Sequence, residues 1–250
     1  MKPVHILLSL LLLASCGASA GADLARVIEN AKPSIVGIGS MQKLRSPAII
    51  FFGTGFVVGD GLTVLTAAHV LQGIAASEQK DTLGVLVSMG DTAQFRAATV
   101  VAIDADHDLA QLRIGGPPLP AMLLGDSVKV AEGQSLAFTG FPLGMVLGLH
   151  HVTHRAMVSA ITPVVMPAIS SRDLGTKLIS TLHKPVYAVF QLDGTAYPGS
   201  SGSPLYDSET GVVYGIINMV YVRGMKENAV SNPSGITYAI PSNFMRDMLH

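Results

Sequence analysis

The sequence predicts an all-β protein, and three observations support this fold class. Short apolar or alternating runs, each fit for one strand, recur along the chain and are separated by polar turns. The chain contains 26 glycines and 14 prolines, which favour turns over long helices. Hydrophobic residues make up 49% of the chain and charged residues only 13%, which excludes a disordered or coiled-coil protein. This pattern favours a barrel or a sandwich over alternating β–α–β units.

The elements follow in order from a short N-terminal helix. Leu24, Val27, Ile28 and Ala31 share one helical face, and Pro33 ends it. The Gly/Pro-rich segment 115–120 is interpreted as a crossing between domains at 24–125 and 126–250, and a last short helix is expected behind Pro241-Ser242. The runs that predict strands are Ile35–Ile38, Gly55–Val58, Thr63–Thr66, Leu83–Ser88, Thr99–Ala102, Leu109–Ile114, Ser135–Thr139, Val186–Leu192, Val212–Ile217 and Thr237–Ile240.

Residues 1–20 have the pattern of a bacterial export signal. Lys2 precedes an apolar run from Ile6 to Ala14, which is shorter than the roughly 20 residues needed to span a bilayer. Two processing routes remain open. The segment 13–16 resembles a lipobox that would lipidate Cys16, whereas the segment 18–20 resembles an ordinary cleavage site. Both routes lead out of the cytoplasm, to the periplasm or a lipid-anchored position in the envelope, with secretion as a second choice.

Charge and cysteine content exclude several classes of site. The formal net charge is −1 and no basic block occurs, so a dedicated nucleic-acid binder is not expected. The single cysteine, Cys16, excludes an intramolecular disulfide and a cysteine-based metal site. His150, His151 and His154 are close in sequence, but nearby carboxylates are lacking. We therefore interpret them as a surface-loop cluster and expect no metal site and no cofactor.

Three segments carry the residue types of serine-based acyl transfer. A strand and a small-residue turn end in His69, Asp108 opens an alternating strand, and Ser201 lies between glycines. A serine hydroxyl needs a base and a group that orients the base, and the developing oxyanion needs convergent backbone N–H donors. The chain order His, Asp, Ser is that of the chymotrypsin arrangement rather than of subtilisins or α/β-hydrolases.

With these motifs the chain resembles a chymotrypsin-fold (trypsin-like) serine protease of the bacterial HtrA (Deg) type over residues 24–249. Further matching segments are Gly53–Val58, Leu124–Ser127, Gly140–Gly144, Val152–His154, Val158–Ala160, Gln191–Asp193 and Ala239–Pro241. The resemblance implies two Greek-key six-stranded β-barrels, with His69 and Asp108 on the first and Ser201 on the second.

The resemblance also implies a role for each residue. Ser201 would be the nucleophile, His69 the general base and Asp108 the residue that orients His69, while the N–H groups of Gly199 and Ser201 would form the oxyanion hole. Asp104 and Asp106 are nearby alternatives to Asp108. Asp108 is preferred because it directly precedes the strand, whereas the other two have the pattern of solvated turn residues.

The chain departs from the family pattern in two respects. Where the family usually has Gly-Asn-Ser-Gly-Gly, this sequence has Ser200 before the serine and Ser203 at the last position. The chain also ends about where the protease domain should end, so the PDZ domain of many HtrA proteases is not expected within it. A catalytically degenerate fold that acts as a binding or chaperone-like module remains the alternative to an active endopeptidase.

The primary pocket is expected to be apolar. Thr195, six residues before Ser201, carries no charge to pair with a basic substrate side chain, and Tyr197, Ile217 and Asn218 are expected beside it. This predicts cleavage of unfolded or misfolded polypeptides after small or medium aliphatic residues. The expected partners are polypeptide substrates. Contact with the membrane is expected only through a lipid anchor. The family resemblance implies assembly with further copies of the chain into a trimer.

Overall fold

A computed structural model describes residues 20–75, 81–90, 92–144, 148–164, 187–218 and 236–249. Within these residues the chain forms two closed antiparallel barrels of six strands each, which confirms the predicted fold class. The predicted export signal, apart from Ala20, and the lipidation site at Cys16 lie outside the described residues.

The first barrel has the strand order β1-β2-β3-β6-β5-β4 and closes where β1 pairs with β4. The strand β3 pairs with β6 rather than with β4, as in a Greek key. Buried β-branched and leucine side chains fill the interior, among them Val36, Val64 and Leu112. The strands are β1 (Ile35–Met41), β2 (Ile49–Val58), β3 (Thr63–Ala67), β4 (Thr82–Met89), β5 (Thr92–Asp104) and β6 (Leu109–Ile114).

The second barrel repeats this topology with the order β10-β11-β12-β9-β8-β7. Phe138, Phe190 and Leu205 lie in its core and are almost fully buried. The strands are β7 (Ser135–Gly140), β8 (Val152–Pro163), β9 (Ala188–Leu192), β10 (Pro204–Asp207), β11 (Val213–Asn218) and β12 (Thr237–Pro241).

The described residues contain three α-helices. Helix α1 (Ala20–Ala31) ends in a 3-10 turn that contains Pro33, and α3 (Ser242–Met248) follows the last strand, as the sequence predicts. Helix α2 (Ala68–Ala75) was expected as a turn that ends in histidine. Instead it begins directly after β3, with Val70 and Leu71 buried against the first barrel. None of the helices in this part of the chain combines the length and apolar character that crossing a bilayer requires.

A shared apolar cluster joins the two barrels. It contains Phe56 and Leu109 from the first barrel and Phe141, Tyr206 and Ile240 from the second, all at most 1% exposed. Burial of this much apolar surface on both sides fixes one barrel against the other. Hydrogen bonds also cross this junction, among them those from Asn218 to Asp108 and from the Thr54 N–H to the Ser201 carbonyl.

Candidate active site

His69 and Asp108 of the first barrel are joined by two hydrogen bonds. His69 lies in the first turn of α2, and Asp108 ends the turn between β5 and β6. The imidazole Nδ1 lies 2.6 Å from Asp108 Oδ2, and the backbone N–H of His69 donates to Oδ1 at 2.8 Å. Since a carboxylate only accepts, the Nδ1 of His69 carries a proton, and in the neutral ring the lone pair is on Nε2.

The backbone of Asp108 is held in an unusual conformation. Its φ of 55° is in the left-handed region, which non-glycine residues rarely adopt. The N–H of Ala68 donates to the Asp108 carbonyl at 2.9 Å, so the start of α2 fixes both the backbone and the side chain of Asp108. Of the three neighbouring aspartates, Asp108 contacts His69. Asp104 instead contacts His107, and its Oδ1 accepts the backbone N–H of Asp106.

Asn218 connects Asp108 to the second barrel. From the end of β11, its Nδ2 donates to Asp108 Oδ2 at 2.7 Å, and the side chain is almost fully buried. The sequence predicts Asn218 in the substrate pocket, and no local pattern indicates its contact with Asp108. The Oδ2 of Asp108 therefore accepts hydrogen bonds from both barrels, from His69 of the first and Asn218 of the second.

The loop of Ser201 is shaped by two glycines in the left-handed region, Gly199 at φ 100° and Gly202 at φ 87°. The backbone N–H groups of Ser200, Gly202 and Ser203 donate within the second barrel. By contrast, no backbone carbonyl in the described part of the chain accepts the N–H of Gly199 or of Ser201. These two N–H groups are the pair that the sequence assigned to an oxyanion hole.

Thr54 of β2 holds this loop against the first barrel, a role that the sequence did not indicate beyond its position between two glycines. Its N–H donates to the Ser201 carbonyl at 2.9 Å, and its Oγ1 donates to the Gly199 carbonyl at 2.7 Å. The same Oγ1 accepts the N–H of Phe141 at 3.1 Å. Both carbonyls of the loop are therefore tied down, which fixes the orientation of the peptide planes around Ser201.

Close packing places the Ser201 loop beside α2. A Cβ added to Gly53 would lie 2.8 Å from a methyl group of Val70 and 3.0 Å from the Ser201 carbonyl oxygen. The backbone of Ser201 is thus separated from the residue after His69 by only a glycine. The structure therefore places His69 in direct contact with Asp108 and the Ser201 loop beside α2. The catalytic roles of these residues and of the Gly199 N–H stay predictions.

Comparison with known families agrees with this arrangement. The family profile described as "Trypsin-like peptidase domain" matches residues 53–216, which is more than half of the chain and includes all three segments. The chain belongs to the trypsin-like peptidase family.

Curated relatives within the HtrA group match a large part of the chain. The "Probable periplasmic serine endoprotease DegP-like" of Halomonas elongata is 31% identical over 78% of this chain and 34% of its own length. "Serine protease HTRA2, mitochondrial" of Bos taurus is 31% identical over 91% of this chain and 42% of its own length. The chain therefore spans between a third and a half of the length of these relatives.

Solved structures share the fold. Deg5 superposes with a TM-score of 0.65 at 21% identity and covers 90% of this chain and 91% of its own. The HtrA-type protease AlgW, solved with a tripeptide, has a TM-score of 0.61 at 21% identity and covers 90% of this chain and 62% of its own.

Ser203 stands where the trypsin-like sequence pattern has glycine, and its side chain packs against Gly140. A Cβ added to Gly140 at the end of β7 would collide with the Ser203 hydroxyl. The Ser203 Oγ is buried and has no hydrogen-bond partner among the described residues. The extra side chain is therefore accommodated sterically, but its hydroxyl is desolvated without compensation.

The residues assigned to the pocket differ in exposure. Tyr197 is 39% exposed and Thr195 is half-buried, whereas Ile217 is fully buried in the core of the second barrel. The Thr237 hydroxyl accepts the N–H of Ala196 at 2.9 Å and donates to the Gly194 carbonyl, so β12 fixes the segment before Tyr197. The role of the four predicted residues in substrate binding stays a prediction.

The three clustered histidines have separate environments, and the predicted surface loop is wrong for His154, which lies in β8. His150 is exposed, the His151 Nε2 lies 3.2 Å from the Ile35 carbonyl, and the His154 ring stacks on Phe138. Burial lowers the pKa of both His151 and His154 below the ordinary value. Within the described ranges, no three His, Cys, Asp or Glu side chains converge as metal ligands would.

Proposed function

We propose that this chain is a serine endopeptidase that cleaves polypeptides through an acyl-enzyme. Ser201 is the nucleophile, His69 the general base and Asp108 the residue that orients His69. The observation that carries this proposal is the pair of hydrogen bonds from His69 to Asp108, which leaves the Nε2 lone pair available to a serine hydroxyl. Family membership and the packing of the Ser201 loop beside α2 support it.

The proposed reaction has two steps, acylation of Ser201 and hydrolysis of the acyl-enzyme. The Ser201 Oγ attacks the substrate carbonyl carbon while its proton passes to His69 Nε2, and this proton then goes to the leaving amine as the peptide bond breaks. Water next attacks the acyl group, again with His69 as base, and releases the acid and the free hydroxyl. Asp108 accepts from Nδ1 throughout and stabilises the imidazolium that forms in each half.

The oxyanion of each tetrahedral intermediate is bound by the N–H groups of Gly199 and Ser201. Both donors lack a backbone acceptor among the described residues, so they are available without breaking an existing bond. The hydrogen bond from Thr54 Oγ1 to the Gly199 carbonyl supports this role, because it keeps that carbonyl out of the site. Donors that are already oriented stabilise developing charge without reorganisation.

Cleavage after small or medium aliphatic residues is the proposed specificity. Thr195 provides no charge for an arginine or lysine, and desolvating such a cation without a partner costs several kcal/mol. An aliphatic side chain instead gains about 1.5–3 kcal/mol on burial. Unfolded or misfolded chains are the proposed substrates because they present such residues in extended form.

Export to the periplasm is the proposed location. It is supported by the signal pattern of residues 1–20 and by relatives whose names place them there. A lipid anchor at Cys16 would hold the protein at the envelope. Assembly into trimers is proposed from the family resemblance.

The direct test is proteolysis of an unfolded protein such as casein by matched variants. Ser201→Ala and His69→Ala should lower kcat by about 10⁴–10⁶-fold, and Asp108→Asn by about 10⁴-fold because the amide favours the wrong histidine tautomer. Ser135→Ala, an exposed serine in the same barrel, is the control and should retain wild-type activity. Wild-type rates in Ser201→Ala would refute the assignment.

A further inference from the structure

His107, the residue before Asp108, belongs to a cluster of three aromatic rings with Tyr187 and Phe244. The His107 ring stacks on Phe244 of α3 with a centroid distance of 3.9 Å and an interplanar angle of 20°. Tyr187, just before β9, meets His107 edge-on at 4.6 Å and Phe244 at 5.2 Å. His107 belongs to the first barrel, whereas Phe244 and Tyr187 belong to the second half of the chain. The rings therefore join the two halves beside the candidate site.

Asp104 holds His107 from the other side. Its Oδ2 lies 2.5 Å from His107 Nδ1, and its Oδ1 accepts the backbone N–H groups of Asp106 and His107 at 3.0 and 3.1 Å. Although burial opposes the charge, these hydrogen bonds and the nearby imidazole lower the pKa of Asp104 below its ordinary value. One carboxylate thus fixes both the side chain of His107 and the turn that leads to Asp108.

Helix α3 is itself anchored to the crossing between the barrels. The Ser242 hydroxyl donates to the Gly125 carbonyl at 2.8 Å. Asn243 exchanges hydrogen bonds with Ser127, accepting at 3.1 Å and donating at 3.2 Å. Phe244 therefore offers His107 a surface whose position is set by the second half of the chain.

The carboxylate of Asp108 depends on the relative position of the two barrels. Its Oδ2 accepts from His69 of the first barrel and from Asn218 of the second. A shift of the Asp108 turn relative to the second barrel would lengthen one of these bonds. The left-handed backbone of Asp108 also has to be imposed by its surroundings, because a non-glycine residue does not adopt it readily.

We propose that His107, fixed by Asp104 and stacked on Phe244, is a positioning residue that sets Asp108 between His69 and Asn218. It does not touch the substrate and acts only through the turn that carries Asp108. This inference rests on the proposed serine protease function. It adds an interaction between α3 and the orienting aspartate to that function.

Three variants separate the parts of this cluster. His107→Phe keeps the stack on Phe244 but removes the bond to Asp104, and Phe244→Ala removes the stack. Both should lower kcat by about tenfold or more with little change in KM, since sub-ångström misplacement acts on the chemical step. Phe244→Tyr keeps the ring and should recover most of the loss. Asp60→Asn is the matched control, because Asp60 also accepts a turn N–H in the same barrel, at 3.1 Å from Leu62, and should leave kcat unchanged.

A spectroscopic readout tests the geometry independently of proteolysis. The proton on His69 Nδ1 in its short bond to Asp108 should give a far-downfield resonance in the wild type. That resonance should shift or broaden in His107→Phe and Phe244→Ala but remain in Asp60→Asn. Urea unfolding curves establish which variants are folded, and only folded variants are compared. If Phe244→Ala does not fold, His107→Phe alone tests the positioning role.

The outcomes distinguish the two hypotheses. Folded His107→Phe and Phe244→Ala proteins with wild-type kcat and an unchanged resonance would overturn the positioning role, even if the wild type is an active protease. A wild type that fails to cleave would overturn the proposed function, and the resonance alone would then decide whether His107 positions Asp108. Loss in kcat together with a changed resonance supports the proposal.

Discussion

At the scale of single residues, Gly202 shows how tightly the Ser201 loop is packed. Its φ of 87° is costly for any residue with a side chain, and a Cβ at this position would collide with the Thr54 carbonyl and lie 2.6 Å from the Thr66 hydroxyl. The hydroxyl of Thr66 in turn donates to the Thr54 carbonyl at 2.7 Å. Neither neighbour can move without breaking a buried hydrogen bond.

Gly202→Ala should therefore lower the free energy of unfolding by about 2 kcal/mol or more and abolish proteolysis, since backbone strain and overpacking add. Gly133→Ala is the control, because Gly133 has a similar φ of 85° but no atom within 4 Å of an added Cβ. It should show only the conformational cost, about 1 kcal/mol, with full activity. Urea unfolding of both variants measures the difference. Equal destabilisation of Gly202→Ala and Gly133→Ala would mean that the contact between the added Cβ and the Thr54 carbonyl costs no stability.

Local motifs predict some residues of the candidate site, whereas contacts between residues far apart in sequence could not be predicted. The order and spacing of the motifs predict His69, Asp108 and Ser201 as the catalytic residues, because short segments around each residue carry the pattern. The contacts of Thr54 and Asn218 could not be found in this way. Thr54 meets Gly199 across 145 positions and Asn218 meets Asp108 across 110, so both contacts depend on how the barrels pack.

At the scale of elements, two buried hydroxyls near the end of β7 differ in their hydrogen bonding. Thr139, in β7, has partners, whereas Ser203, which packs against Gly140, has none among the described residues. Thr139 bonds Thr153 at 2.8 Å and the Tyr206 hydroxyl at 2.6 Å. The Ser203 hydroxyl, just before β10, is buried and has no hydrogen-bond partner among the described residues. A buried hydroxyl without a partner keeps its full desolvation cost.

Ser203→Ala should therefore raise the free energy of unfolding by about 1 kcal/mol, because it removes the hydroxyl and retains the Cβ. Thr139→Val should lower it by about 1 kcal/mol or more, because it breaks two bonds and leaves partners unsatisfied. Chemical denaturation of both variants gives the comparison. Destabilisation of Ser203→Ala comparable to that of Thr139→Val would show that the Ser203 hydroxyl has a partner in solution.

Strand alternation predicted most elements but not all of their extents. The strand β5 runs from Thr92 to Asp104, whereas the sequence predicted only Thr99–Ala102. Its first half contains mostly polar and small residues, none of them buried, and forms a strand through its pairing with β4 rather than through an apolar pattern. Helix α2 was missed because its first residues also continue the apolar run of β3, and periodicity alone does not separate the two in so short a segment.

At the scale of the whole molecule, two half-buried histidines link stability to pH. Burial lowers the pKa of His151 and His154 below the ordinary 6.5. Below about pH 6.5 the unfolded chain therefore binds protons that the folded chain does not. Stability is present in full above that pH and falls as the pH drops toward the folded pKa values.

The free energy of unfolding should decline as the pH drops below about 6.5, and His154→Phe should make the decline shallower. Phenylalanine retains an aromatic ring against Phe138 and removes one titrating group. Urea unfolding at a series of pH values measures both curves. Parallel curves for the wild type and His154→Phe would exclude His154 as a contributor.

The whole molecule also explains why the site lies between the barrels. The first barrel provides His69 and Asp108, and the second provides Ser201, Asn218 and the N–H groups of Gly199 and Ser201, which no backbone carbonyl of the described residues accepts. Each barrel alone holds an incomplete set. The apolar cluster that spans both barrels therefore stabilises the fold and also aligns the proposed catalytic groups.

If Ser201 is a nucleophile activated by His69, a fluorophosphonate should react with its hydroxyl, and mapping the modified residue tests this role. The folded wild type should acquire one phosphonyl group on Ser201, located by peptide mass analysis. Ser201→Ala should acquire none, and His69→Ala should react at least about 10³-fold more slowly because the hydroxyl keeps its proton. A folded wild type that does not react, or that is modified at the same rate after Ser201→Ala, would contradict the claim.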